Sequence, residues 1–345
     1  MLLLCTIYSL FILYAIVLLW RKGRIELHAF DLDRTTSLKG VLAFLMILVH
    51  LNCVAFKPAG FKYPVFSEIG SVWGQWCVIL FFMMAGYGLT YSLSTKGTSY
   101  LDGFLKKRLP KILVPLLLVE IVAICCNLLS ISELIRGGQQ LAHTWFMYAL
   151  LLYYVAFYVV NRLVHNIRHS TFILLLLQVL FICLVRYLSD DQWTTWRWWA
   201  SALGFNTGMY IYLYEPQIQK LLKPLKPLKP FILAIGLLGG LAAIYASAHF
   251  GLAEYAASIG WPILTYVLIL ICGMYQSTLT RWLGKYCYEI YLTHGYLIMT
   301  YPHWPWHTAY GNLAFGIMIF AAVAVSSIIL KRISQYILNL HVHRL

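Results

Sequence analysis

Residues 38–56 read Leu-Lys-Gly-Val-Leu-Ala-Phe-Leu-Met-Ile-Leu-Val-His-Leu-Asn-Cys-Val-Ala-Phe. Beyond Lys39 at its entry, the only strongly polar residues in this run are His50 and Asn52. At about 1.5 Å per residue, a helix of this length covers most of a ~30 Å hydrocarbon core. Lipid offers no partner to backbone N–H and C=O groups, so such a run must be helical if it crosses a bilayer.

Comparable apolar blocks recur along the chain. They lie at about 2–20, 72–93, 112–131, 144–161, 171–188, 198–214, 230–248, 258–276, 286–302 and 311–330. A transmembrane β-barrel would instead show alternating segments of roughly ten residues. Composition agrees: 61% of residues are hydrophobic and 11% charged, against about a quarter charged in soluble domains. The mean hydropathy is +0.75. The expected fold is all-α: one integral membrane bundle of about ten or eleven transmembrane helices joined by short connections. The first block lacks a basic leader and a small-residue cleavage pattern, and Arg21-Lys22-Gly23-Arg24 follows it. It is expected to be a retained helix. Residues 1–30 then form an extra N-terminal helix and linker, and 31–345 form a ten-helix membrane domain.

The distribution of basic residues gives an orientation. With the N-terminus outside and the C-terminus cytoplasmic, 21 of the 26 Lys and Arg residues fall on the inner side. The net charge of +14 is then explained by loops facing anionic lipid, with no nucleic acid needed. The Lys-Pro-Leu repeat carrying Lys220, Lys223, Lys226 and Lys229 fits a stiff basic connector in contact with lipid headgroups. Trp193, Trp196, Trp198 and Trp199, and farther on Trp304 and Trp306, fall on the outer side. There Trp serves either as an interfacial anchor or as a face for stacking against sugar rings. The eight cysteines show no metal-binding or redox spacing and fit small packing residues.

Ionisable groups at membrane depth are costly and mark functional positions. His50 lies roughly 18 Å from the inner end of its block, followed by Asn52. Glu120 sits in the fourth block, Glu289 and His294 in the tenth. Neutral imidazole is suited to act as a general base near pH 7. Either carboxylate could orient it.

Four stretches, in order, are similar to motifs of the acyltransferase-3 family of multi-pass membrane O-acyltransferases. Arg34-Thr35-Thr36-Ser37-Leu38-Lys39-Gly40, running on to Val49-His50, resembles its opening motif, in which a basic residue precedes a His by eleven positions on one helix. Leu80-Phe81-Phe82-Met83-Met84-Ala85-Gly86-Tyr87 resembles a Phe-Phe-x-x-Ser-Gly-Phe/Tyr signature, with Ala85 in place of the Ser. Lys107-Arg108-Leu109-Pro110-Lys111 is similar to a basic segment opening a helix. Tyr288-Glu289-Ile290-Tyr291-Leu292-Thr293-His294 resembles a late Tyr-Leu-x-His motif, with Glu289 at an unusual position. A fifth stretch, Thr144-Trp145-Phe146, is more weakly similar to a mid-chain aromatic signature. The Leu-Lys-Gly form resembles the branch with fucose O-acetylase-like and polysaccharide-modifying members.

The resemblance implies transfer of an acyl group, acetyl most often, from cytoplasmic acyl-CoA to a hydroxyl of a cell-surface or lipid-linked glycan. His50 would be the base, with Glu120, Glu289, His294 and Asn52 as candidate catalytic support. Arg34, Lys39, Arg108 and Lys111 would bind the phosphates of acyl-CoA, because Lys and Arg are natural phosphate partners. Trp145 and Trp196 are candidates for acceptor contact. No metal and no permanently bound cofactor are expected. Absence of a nucleophile elbow favours direct transfer over an acyl-enzyme. The expected location is a bacterial cytoplasmic membrane. Two other classes fit part of the pattern: a transporter or flippase for a glycan or lipid-linked intermediate, and a sensor or assembly subunit without chemistry.

Overall fold

The computed structural model describes residues 30–56, 58–60, 70–131, 145–188, 201, 203–228, 231, 232, 235, 253–272, 274 and 276–342. The predicted blocks at 2–20 and most of 230–248, and Trp193, Trp196, Trp198 and Trp199, lie outside the described residues. Within them the protein is helical throughout, with no strand. The helices are α1 (Leu32–His50), α2 (Gly70–Lys96), α3 (Phe104–Cys125), α4 (Trp145–Leu163) and α5 (Ile167–Leu188). They continue with α6 (Leu203–Leu222), α7 (Ala253–Cys272), α8 (Thr278–Lys285), α9 (Cys287–Ile298) and α10 (Ala309–Val342). Among the described residues, five stretches are long and apolar enough to cross a membrane: Leu32–Phe56, Gly74–Lys96, Trp145–Leu163, Ile167–Leu184 and Ala309–Leu340. The chain is an all-α integral membrane protein.

Local chemistry explains where the helices depart from the apolar blocks. Helix α1 starts at Leu32, ahead of the block at 38, because the Asp31 carboxylate accepts from Arg34 N at 2.6 Å and caps the free N-terminus. The α-helix ends at His50, and Leu51–Phe56 continues as a π-helix. Helix α8 falls in what the sequence assigns to an inner loop. It is nucleated by a capping box in which Ser277 and Thr280 satisfy each other's backbone N–H groups. The predicted block at 286–302 is a 12-residue helix, α9, followed by a 3₁₀ turn at Tyr301–His303. Helix α10 runs past Lys331 and Arg332 for 34 residues in all, about 51 Å, so its last turns extend beyond a ~30 Å core.

Glycines set the closest helix contacts. A Cβ on Gly86 of α2 would lie 2.0 Å from Phe205 O, and one on Gly208 of α6 would lie 2.0 Å from Met83 O. The pairing of Ile79 with Gly204 and of Met83 with Gly208 makes α2 and α6 parallel neighbours at backbone contact, as small residues allow in membrane bundles. A second such contact seats α8 on α1. Gly40 meets Thr280 O and Gly284 meets Thr36 O, so the basic entry of α1 is clamped against the short helix. Helix α9 then packs between α1, α3 and α10, which carries the late motif to the end of α1.

Candidate active site

The site forms where α1 ends against α9. His50 Nδ1 lies 2.6 Å from His294 Nε2. The rings are 3° from parallel with centroids 4.8 Å apart. That separation is close to the largest that ring geometry permits at this nitrogen contact, so the rings lie edge to edge in one plane, in line for an N–H···N bond. His294 is fully buried, and its Nδ1 lies 2.9 Å from Ile290 O.

These contacts fix the protonation of the neutral pair. A carbonyl oxygen only accepts, so His294 Nδ1 carries its proton and Nε2 is an acceptor. His50 Nδ1 must then donate to it. The lone pair of neutral His50 falls on Nε2, the nitrogen a general base would use. The tautomer is assigned from the hydrogen-bond chain, as ring protons ordinarily are. Immediately after His50 the backbone widens into the π-helix that holds buried Asn52. Single π-turns inserted in α-helices are frequent at functional sites.

The two carboxylates have other partners. Glu120 is buried in α3 and accepts from Tyr148 Oη of α4 at 2.6 Å. Glu289, on the first turn of α9, faces Lys331 Nζ of α10 at 3.6 Å. Neither appears as the partner of His50. That place is taken by His294, whose five-residue offset from Glu289 puts the two on different faces of α9. Tyr291 packs its ring 5.7 Å from His294, and Phe146 packs on Tyr291 at 5.4 Å. Trp145, a candidate acceptor contact, opens α4 and packs at 6.4 Å from Phe82 and 6.3 Å from Phe146. It therefore belongs to the aromatic wall behind Tyr291.

Arg34 and Lys39 lie in the first turns of α1, and Arg108 and Lys111 in those of α3. Lys39 and His50 are eleven residues apart, close to three whole helical turns, so they share a face of α1 about 16 Å apart. Lys39, Glu289 and Lys331 all lie within electrostatic reach of Cys287, which places Lys39 beside the base of α9. Arg34 is mostly buried, with Nε 3.3 Å from Asp31 Oδ2, so part of its charge is used in the helix cap. Arg108 is exposed and donates to Tyr100 Oη at 3.1 Å, and Lys111 is exposed one turn later. Among the described residues no cluster of three or more His, Cys, Asp or Glu could hold a metal ion.

Two side chains that the motifs did not single out join this neighbourhood, and a third forms a separate buried cluster. Tyr148 holds Glu120. Lys331 spans Glu289, the carbonyl of Lys285 and the ring of Tyr286, 4.7 Å from its centroid. Glu215 of α6 is buried and accepts from Tyr87 at 2.7 Å and Tyr266 at 2.8 Å. Lys331 was visible only as one more inner-side charge, and Glu215 only as part of a basic connector. Tyr148 carried no signal apart from its hydroxyl in an apolar block.

A family model described as an acyltransferase domain matches residues 32–331. No curated protein and no solved structure matches the chain. The match runs from the first residue of α1 to the lysine beside Glu289 and takes in both histidines of the pair. The chain belongs to the acyltransferase-3 family.

Proposed function

We propose that this acyltransferase transfers an acyl group, acetyl in the simplest case, from cytoplasmic acyl-CoA to a hydroxyl of a cell-surface or lipid-linked glycan, in a bacterial cytoplasmic membrane. The observation that carries the reading is the directed chain from His50 through His294 to Ile290 O, which leaves the basic nitrogen of His50 as Nε2. The acceptor hydroxyl gives its proton to His50 Nε2 as its oxygen bonds to the thioester carbonyl carbon. The tetrahedral adduct then collapses, the C–S bond breaks, and the CoA thiolate takes the proton back. One ester and one free thiol result. While His50 is protonated, His294 Nε2 accepts from its Nδ1–H and shares the charge across two coplanar rings. The low-dielectric surroundings strengthen that interaction.

The donor's phosphates would be met by Lys39, Arg108 and Lys111, with Arg34 contributing from the cap of α1. The ~16 Å from Lys39 to His50 along one helix face suits a pantetheine arm carrying the thioester inward. Asn52, Glu120 and Glu289 stand as support for the site, and Trp145 and Trp196 as acceptor-side surfaces. The test of donor and acceptor is to supply membranes containing the protein with acetyl-CoA labelled in the acetyl group. Label should enter an alkali-labile ester in the glycan or lipid-linked sugar fraction. Label confined to water-soluble acetate, with a complete glycan and lipid-linked fraction present, would contradict a glycan acceptor.

A further inference from the structure

The run His303-Trp304-Pro305-Trp306-His307 lies in the turn that joins α9 to α10, at the end of α9 away from Lys39. Tyr301 follows His294 by seven residues, about 10 Å of helix rise. Tyr301 is buried and packs on Phe56, the last residue of the π-helix that follows His50, with ring centroids 5.5 Å apart. Both segments that carry the histidine pair therefore meet at this turn, opposite the end where the basic residues would receive the donor.

The turn is held by its own bonds. Tyr301 Oη donates to Asn312 Oδ1 at 2.6 Å, and Trp304 Nε1 donates to Gly311 O at 3.1 Å. Thr308 N donates to Trp306 O at 3.0 Å, and a Cβ on Gly311 would lie 1.9 Å from that oxygen. The aromatic residues divide by task. Trp304 is partly buried, packs on Phe315 at 5.5 Å and uses its N–H inside the fold. Tyr310 stands two helical turns before Ile317 and shares its exposed face, where it serves as an interfacial anchor. Trp306 has neither task. It is 61% exposed, edge-on to Trp304 at 5.5 Å, and lies outside the helix. His303 and His307 flank it, both exposed, with His307 edge-on to Tyr301 at 5.0 Å.

The face of an indole is electron-rich. A pyranose presents C–H groups of slight positive charge on one face and hydroxyls around its rim. A neutral imidazole offers such hydroxyls one donor and one acceptor. A ring fixed before binding loses little freedom on binding. No Lys, Arg, Asp or Glu occurs between Tyr301 and Gly311, so a lipid phosphate finds no charged partner on this turn.

We propose that Trp306, with His303 and His307, is a stacking platform for a neutral sugar unit of the acceptor glycan. The platform rests on the acyl-transfer reading for its acceptor. The ~10 Å from His294 to Tyr301 is more than one pyranose ring spans. The ring on Trp306 is therefore a neighbour of the one that meets His50, and the acceptor is an oligosaccharide. The test uses the full chain in lipid nanodiscs. The probe is neutral oligosaccharide released by mild acid from the envelope of the source cells and tagged with a fluorophore at its reducing end. Binding is read by anisotropy, and acetyl-CoA hydrolysis by water is followed in parallel. Untagged oligosaccharide should displace the probe, and sorbitol, which has the hydroxyls without the ring, should not. Trp306→Ala should weaken binding about tenfold, the worth of one stacked ring. Trp306→Tyr should keep most of it. Trp306→Leu, apolar enough for an anchor but with no π face, should bind no better than Trp306→Ala. Hydrolysis should stay at the wild-type rate in all three. No binding by the wild type, equal displacement by sorbitol, or wild-type binding by Trp306→Leu would overturn the proposal. The wild-type competition decides the matter even where a variant does not fold. Binding without any ester formed on the bound sugar would instead strike the acyl-transfer reading and leave a sugar site in place.

Discussion

Because Ile290 O can only accept, one backbone carbonyl determines the tautomer of His294 and, through it, that of His50. The consequence is specific. His50→Ala should lower the rate of thiol release from acyl-CoA by about 10²–10⁴, the range of a general base. His294→Ala should lower kcat by about tenfold or more with little change in KM for the donor, because in the proposed mechanism His294 positions the base and does not meet the phosphates. His294→Gln, whose side-chain oxygen can accept from His50 Nδ1, should recover part of the loss. Equal loss in the Gln and Ala variants would contradict the positioning role. The candidate base was legible from sequence, since an ionisable group inside an apolar run stands out. Its partner was not. A carboxylate was the natural expectation for orienting imidazole, yet Glu120 is held by Tyr148 and Glu289 by Lys331. Contacts between residues 244 positions apart leave no trace in local spacing.

At the scale of elements, the apolar blocks located the centres of the long helices, while their ends differ by as many as twelve residues, as at Val342 against the predicted 330, and the breaks escaped them. The π-helix Leu51–Phe56 and the short helix α8 depend on backbone hydrogen bonding and on the Ser277–Thr280 capping box, to which hydropathy is insensitive. Deleting Val54 would remove the extra residue that the π-turn accommodates and turn Ala55 and Phe56, which are buried beside Tyr301, by about 100°. Activity should vanish while helical content by circular dichroism stays near wild type. Retained activity would mean that the widened turn has no bearing on the site. The glycine of the second motif has a plain physical meaning here: Gly86 lets α2 approach the backbone of Phe205. Gly86→Val should destabilise the protein by about 1–3 kcal/mol through overpacking, read as a lower thermal midpoint in detergent. Residue 85, where Ala replaces the Ser of the motif, should accept Ala85→Ser with little effect on that midpoint.

For the whole molecule, class and family were readable because composition and motif order are global properties that no single misplaced boundary disturbs. The orientation drawn from charge makes a separate prediction. In a protein with its native cysteines replaced, Ser99→Cys should react with a membrane-impermeant maleimide only after the cells are opened. Trp306→Cys should react in intact cells. The opposite pattern would place the basic ends of α1 and α3 outside, where the proposed donor, cytoplasmic acyl-CoA, could not reach them.

The central claim is that His50 Nε2 takes the acceptor's proton during acyl transfer. The most direct measurement is free thiol release from acetyl-CoA by purified protein, comparing wild type with His50→Ala at matched folded yield, with water or a panel of sugars as acceptor. The account predicts steady release from the wild type and a fall of at least about a hundredfold in the variant. Unchanged release in a folded His50→Ala protein would contradict it.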